Sequence, residues 1–273
     1  MPIKTISSMG LGRICEKMLN LPRCINIACY KVKKFIYIKY GVIKKYNLGF
    51  VAGEQLLRTD SFAAKTIPIN MSDYDTYKDK ANKKIRILEG KYVFFLDINL
   101  PFQSDLSLTG ASALNAEEYY ASLNRFFSLI EIAYTTRVVI ASHHMANNTY
   151  QRYDGRECHQ SNTAELVRGA DFVISHHSTS IGYAILNKKP IVFIYTNEML
   201  KLYSTCRIRW IQDLAQYFEL SFYNVDQVTD GSQVNTIVPN QDRYDDYKYS
   251  YLTSHESENT SSADVFWPEI TAL

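Results

Sequence analysis

Four groups of side chains in this sequence have the types and spacing to handle a phosphate-bearing, hydroxylated molecule. Ser178, Thr179 and Ser180 follow the apolar run DFVIS (171–175), and small hydroxyls at such a turn donate to phosphate beside the N–H groups of a following helix. His143 and His144 follow the run RVVIAS (137–142), where an imidazole hydrogen-bonds a phosphate or stabilises a leaving nucleotide. Asp97 closes the run YVFFLD (92–97), and a carboxylate at a strand end is a candidate general base for activating a hydroxyl. Arg156 lies in a loop and is suited to neutralising phosphate, or to pairing with an acid such as Glu157; Glu165 in TAELV suits a ribose hydroxyl or solvent. His176 and His177 repeat the paired imidazoles one strand on, but two adjacent pairs lack the ligand spacing of a zinc site, so no metal is expected.

These residues need a scaffold that gathers them, and the apolar pattern supplies one. Continuous Val/Ile/Phe runs at 92–97, 137–142, 171–175 and 190–195 read as strands buried on both faces. Between them lie helical segments: one capped by Asn115 with Glu117 and Glu118 in its first turn, one over 163–168, and one over about 179–187. Strands alternating with helices predict an α/β fold, a Rossmann-like parallel sheet with helices on both faces. Right-handed crossovers then place every strand's carboxyl end on one edge, which collects Asp97, Ser142, His143, His144, Ser175, His176, His177 and Thr196. Two further strands are expected at 48–53 and 65–69, a polar segment holds Asp73 to Tyr77, and the Tyr- and Asp-rich stretch after 240 reads as irregular chain packed by its aromatics.

Composition narrows the partners. The 273 residues are 46% hydrophobic and 21% charged, as in a folded globular chain. Five cysteines, an odd number without a C-x-x-C pair, argue against a disulfide framework and for a reducing compartment. Neither a membrane span nor the pattern of a secretory signal is visible, so a cytoplasmic location is expected. The net charge of +2 is unevenly spread: residues 1–45 hold ten of the 30 Lys and Arg and one of the 28 Asp and Glu, and the remainder is acidic. This basic, aromatic segment is expected to be mainly helical and to lie on an anionic membrane surface or in solvent. Nucleic acid is not an expected partner, since no nucleic-acid module accompanies the basic residues.

The ordered motifs A-S-H-H (141–144), G-R-E (155–157), T-A-E-L-V (163–167), S-x-x-S-T-S (175–180) and K-K-P-I-V-F-I (188–194) resemble the donor-binding half of bacterial GT-B glycosyltransferases of capsule and lipopolysaccharide synthesis. The resemblance covers roughly residues 46–260 and is nearest to the surface-carbohydrate and sialyltransferase-like members. It implies that His143 takes the place of the family's histidine beside the nucleotide, with His144 where the family has proline, and that Ser178, Thr179 and Ser180 take the place of its phosphate-holding hydroxyls. It further implies inverting transfer of a sugar from a CMP- or UDP-linked donor to a glycan or lipid-linked acceptor, with no separate cofactor.

Only about 45 residues precede the first strand, too few for a full acceptor domain. The expected organisation is therefore a basic segment over 1–45 and a nucleotide-sugar-binding domain over 46–273, the N-terminal acceptor domain being largely missing or supplied by a partner chain. A nucleotide-sugar epimerase, a polyol-phosphate transferase and a non-catalytic donor-domain remnant are the alternatives on the same fold.

Overall fold

The computed structural model describes residues 29, 32–33, 35–42, 44, 46–57, 63–81, 87–103, 114–142, 149–202 and 205–272. The chain divides into two compact units, residues 1–49 with 61–66, and residues 50–60 with 67–273. The return segment 61–66 belongs to the first unit. In that unit residues 35–39 are helical; most of the preceding basic segment lies outside the described residues. Strands β1 (Tyr46–Ala52) and β2 (Ala63–Ile69) form a two-stranded sheet.

The second unit is built on six parallel strands: β3 (Tyr92–Leu96), β4 (Arg137–Ala141), β5 (Cys158–His159), β6 (Val173–Ser175), β7 (Ile191–Tyr195) and β8 (Phe222–Asn224). Their spatial order is β5-β4-β3-β6-β7-β8. The chain thus starts in the middle, winds outward through β4 and β5, returns, and winds outward the other way. This is the doubly wound order of Rossmann-like sheets, with its topological switch between β3 and β6.

Central position explains composition. All five residues of β3 are buried, with Val93, Phe94 and Phe95 wholly inaccessible, because a strand flanked by parallel neighbours is covered on both faces. Truncating either Phe94 or Phe95 to Ala would remove about 3–5 kcal/mol of packing.

Helix α1 (Glu54–Leu57) is a single turn, and α2 (Ser72–Ala81) arises from the polar segment that the sequence left unassigned. Helix α3 (Ala116–Tyr134) crosses from β3 to β4. Its cap is the expected one: Asn115 Oδ1 accepts from the Glu117 and Glu118 N–H groups at 3.1 and 3.3 Å. Its buried stripe of Tyr119, Leu123, Phe126, Phe127 and Ile130 packs on the sheet.

Helix α4 (Thr149–Arg152) precedes β5, α5 (Thr163–Gly169) leads into β6, and α6 (Ile181–Leu186) joins β6 to β7. The β3–β4 and β6–β7 steps run in opposite directions, so right-handed crossovers put α3 and α6 on opposite faces of the sheet. Helices α2, α5 and α6 pack on one another.

Helices α7 (Asn197–Leu202) and α8 (Thr205–Phe218) connect β7 to β8. A 3-10 turn at Gly231–Gln233 then approaches α3 so closely that a Cβ on Gly231 would lie 2.1 Å from the Leu129 carbonyl oxygen, which only glycine permits.

The segment after 240 departs from expectation. It forms α9 (Gln241–Tyr247), a π-helical turn (Lys248–Leu252) and α10 (Ser262–Thr271) rather than irregular chain. Its aromatics do pack: Tyr244 meets Phe218 edge-on at 5.3 Å and donates to the Lys189 carbonyl at 2.8 Å. Among the described residues no helix is long and apolar enough to cross a membrane.

Candidate functional site

A cavity of about 470 Å³ opens beyond the carboxyl ends of β4, β3 and β6, at the topological switch. In an open parallel sheet this is where ligands bind, since the loops leaving adjacent strands diverge there. Leu96, Asp97, Ile98 and Gln103 line it from β3 and the turn after it. Ala141 and Ser142 line it from β4, Gln160 and Thr163 from the chain between β5 and α5, and His177, Ser178, Thr179 and Ser180 from the turn after β6. Of the residues expected on this edge, Asp97, Ser142, His177 and the Ser178–Ser180 turn line one cavity, and because β4 and β6 flank β3, Asp97 stands between the other groups.

Asp97 is 7% exposed. Its Oδ1 accepts from the Asn99 N–H at 2.8 Å, in a turn that holds Asn99 in the left-handed region at φ 49°, a conformation asparagine tolerates. Its Oδ2 is buried without a hydrogen-bond partner. Burial pushes the carboxyl up to about 6; the Asn99 N–H and the charge of the Arg152 guanidinium offset part of that rise. A carboxylate with this poise is ionised at neutral pH yet basic enough to accept a proton from a substrate hydroxyl.

The Ser178–Ser180 turn lines the cavity, but the local reason differs from a capped helix end. Ser180 holds the N-cap position of α6 without a side-chain cap bond, and Ser178 Oγ accepts from the Ser180 N–H at 3.2 Å. The N–H groups of Ile181, Gly182 and Tyr183 donate to the carbonyls of Ser178, Thr179 and Ser180. These four N–H groups are used within the turn, so the expected anion site on free helix N–H groups is corrected. The hydroxyls remain as the donors on this wall.

His176 is also not a site residue. It is fully buried, donates from Nδ1 to the Ile194 carbonyl at 2.7 Å, and accepts at Nε2 from the Tyr119 hydroxyl at 2.9 Å. Burial pulls its pKa down to about 3, and this neutral tautomer ties β6, β7 and α3 together. Ser175 is buried behind the cavity wall, and Thr196 Oγ1 accepts from the Met199 N–H at 3.2 Å at the start of α7.

Arg156 is not brought to the cavity. Its guanidinium is held by Glu131 through Nε at 3.1 Å and Nη2 at 2.8 Å, by Ser128 Oγ at 2.9 Å and by Asn124 Oδ1 at 3.2 Å. The side chain is 10% exposed, and its charge is spent fixing the β5 approach to α3. Glu165 is likewise turned to a structural pair: although burial opposes ionisation, the Lys80 ammonium bonded to it holds its carboxyl below the ordinary value and joins α5 to α2. His143 and His144 lie outside the described residues; Ser142, which precedes them, lines the cavity.

Three polar lining residues escaped the sequence reading. Gln103 follows the 3-10 turn at Leu100–Phe102, whose Pro101 marks a bend but not its direction. Gln160 and Thr163 are delivered by β5, a strand of two residues that leaves no periodic signal.

No protein-family model matches the chain, and no curated protein matches it. Among solved structures, one similar to it is described as the glycotransferase of kitacinnamycin, at 10% identity and a TM-score of 0.32, with 62% of this chain and 38% of that chain covered. A second is the glycosyltransferase SnogD from Streptomyces nogalater, at 9% identity and a TM-score of 0.40, covering 77% of this chain and 56% of that one. A third is the spinosyn forosaminyltransferase SpnP, at 13% identity and a TM-score of 0.34, covering 82% and 50%. The chain spans between 38% and 56% of the length of these structures. The α/β class itself rests on the hydrogen-bonded strand order of this chain, a parallel six-stranded sheet flanked by helices.

Proposed function

We propose that the chain binds a nucleotide-linked sugar in the cavity beyond β3, β4 and β6 and transfers the glycosyl unit to a glycan or lipid-linked acceptor of a bacterial surface polysaccharide. The observation that carries this reading is the convergence of Asp97, Ser142 and the hydroxyls of Ser178, Thr179 and Ser180 on one cavity at the sheet's switch point. The ordered motifs that resemble donor-binding halves of GT-B enzymes supply Ser142, Ser178, Thr179 and Ser180 among those positions.

In the proposed reaction an acceptor hydroxyl attacks the anomeric carbon while the bond from that carbon to the phosphate oxygen breaks. Asp97 takes the hydroxyl proton, and the nucleotide leaves with the bonding electrons on its phosphate. Hydroxyl donors at 178–180 meet the charge that develops there, with His143 assigned to the same phosphate. Configuration inverts because the nucleophile and leaving group occupy opposite faces of one carbon. A partner chain completing the acceptor side belongs to this reading.

The basic segment is assigned to an anionic membrane surface at the inner face of the plasma membrane, where a lipid-linked acceptor would be found. Its described residues Phe35, Tyr37, Tyr40 and Val42 are all exposed, beside Lys33 and Lys39.

Incubation with CMP- and UDP-linked sugars, followed by mass spectrometry, tests the reaction. Release of free nucleotide with gain of one sugar mass on an added bacterial glycan extract supports transfer. Interconversion of the donor sugar without nucleotide release identifies an epimerase instead, and an unchanged donor with no calorimetric binding removes the donor site.

A further inference from the structure

Trp210 stands beside the cavity without being used by the reaction described above. It lies on α8, is 53% exposed, and meets the ring of His177 edge-on with ring centroids 5.8 Å apart. His177 itself lines the cavity. A large indole left half in water costs apolar burial that a helix of this length could have recovered by rotating a smaller residue outward. Its placement next to a polar cavity calls for a planar ligand face.

The chemistry of the cavity wall sharpens the point. Its described lining is made of hydroxyls, amides, one carboxylate and short aliphatic groups, and the imidazole of His177 is the only ring among them. Such a wall suits a phosphate and a sugar, which are hydroxylated and charged. Among the described residues it offers no flat apolar surface for a nucleobase. A flat surface in contact with that wall is the Trp210 indole, which meets His177 edge-on.

Resting on the donor-site reading above, we infer that the Trp210 indole is the stacking platform for the base of the bound nucleotide, and so determines binding of nucleotides over base-free sugar phosphates. A base lying on the exposed indole face extends from a phosphate at Ser178–Ser180 past His177, which lines the cavity with those hydroxyls and meets Trp210 edge-on. Stacking of this kind tolerates any base, so Trp210 selects for a nucleobase as a class, and the hydrogen-bonding groups of the wall select among bases.

The sequence makes the test clean, because the chain has two tryptophans and the other, Trp267, sits on α10 against Phe266. In the 273-residue Trp267→Phe variant, the emission reports on Trp210 alone. Saturable quenching by CMP or UMP, and no quenching by ribose 5-phosphate at concentrations where calorimetry shows it bound, is the expected result. Trp210→Ala should weaken CMP or UMP binding about five- to hundred-fold, the equivalent of one base–aromatic stack, and leave ribose 5-phosphate binding unchanged. Trp210→Phe, which keeps a ring, should recover most of that loss.

Calorimetric binding of CMP or UMP without any change in Trp210 emission would overturn the inference and leave the donor site standing. So would equal losses for nucleotide and ribose 5-phosphate in Trp210→Ala, since a purely structural role weakens both. Absence of binding by every nucleotide in the unaltered chain would overturn the donor site and the platform together. Circular dichroism of the variants separates these outcomes from misfolding, which the exposure of Trp210 makes a minor risk.

Discussion

Asp97 Oδ1 accepts from the Asn99 N–H at 2.8 Å while its Oδ2 stays buried and unbonded, so one half of the carboxylate is fixed and the other is left for a proton. The consequence for stability has a definite sign. Burial raises the carboxyl from 3.8 to about 6, so the folded chain binds this proton more tightly than the unfolded chain does. The charge costs nothing below about pH 4, increasingly more between pH 4 and 6, and its full amount above that, about 3 kcal/mol for a shift of roughly two units. Asp97→Asn should therefore raise the urea midpoint at pH 7.5 and leave it nearly unchanged at pH 4. The same variant should abolish transfer, and the wild-type rate should rise with pH through about 6 as the carboxylate form appears. A destabilised Asn variant at pH 7.5 would contradict the assignment of an ionised, poorly solvated base.

The hydrogen bond from Tyr119 to His176 makes a contrasting prediction. Removing the hydroxyl in Tyr119→Phe leaves His176 Nε2 buried without a donor, at a cost of about 1–3 kcal/mol. Thermal unfolding should register that loss, while nucleotide affinity stays at the wild-type value because His176 lies behind the wall. Histidine NMR should also find His176 neutral across pH 5–8, its pKa being pulled by burial to about 3. A titration of His176 near 6 would show that it reaches solvent.

Arg156 separates structure from binding in the same way. Arg156→Met removes the guanidinium from Glu131, whose Oε1 keeps the Val138 N–H, and breaks the contacts to Asn124 and Ser128, which should cost about 1–3 kcal/mol for a pair of which Glu131 is partly solvated. Calorimetric nucleotide binding by the folded variant should match the wild type. A tenfold weaker affinity with unchanged stability would instead return Arg156 to the site.

How far the sequence could be read depended on which forces act locally. The four central strands were legible because burial on both faces leaves unbroken apolar runs such as YVFFL and IVFIY. Helix α3 was legible because Asn115 and its apolar stripe are local signals. Strands β5 and β8 were not, being two and three residues held in place by their neighbours rather than by their own pattern. Helices α2 and α9 were missed for a similar reason: SDYDTYKDKA and QDRYDDY are dominated by Asp and Tyr, and tertiary contacts such as Tyr244 under Phe218 make the helix.

The site followed the same division. Asp97 and the 178–180 hydroxyls were visible because they end buried strands. The retention of Arg156 by Glu131, 25 residues away, and of Glu165 by Lys80, 85 residues away, is tertiary and left no trace in the motif. That the N–H groups after Ser178 are consumed in their own turn was equally hidden, since it depends on how tightly the backbone closes there.

The most direct test of the central claim is calorimetric titration of CMP, UMP and UDP into the wild type and the Ser178→Ala/Thr179→Val double variant. Both residues line the cavity, and hydrogen bonds to a charged phosphate are worth about 1.5–3 kcal/mol, so the double variant should bind the preferred nucleotide at least about ten-fold more weakly while still unfolding cooperatively, at a temperature lowered only by loss of the Ser178 Oγ acceptor for the Ser180 N–H. Wild-type binding left unchanged by the double substitution would place the phosphate outside this cavity and contradict the account.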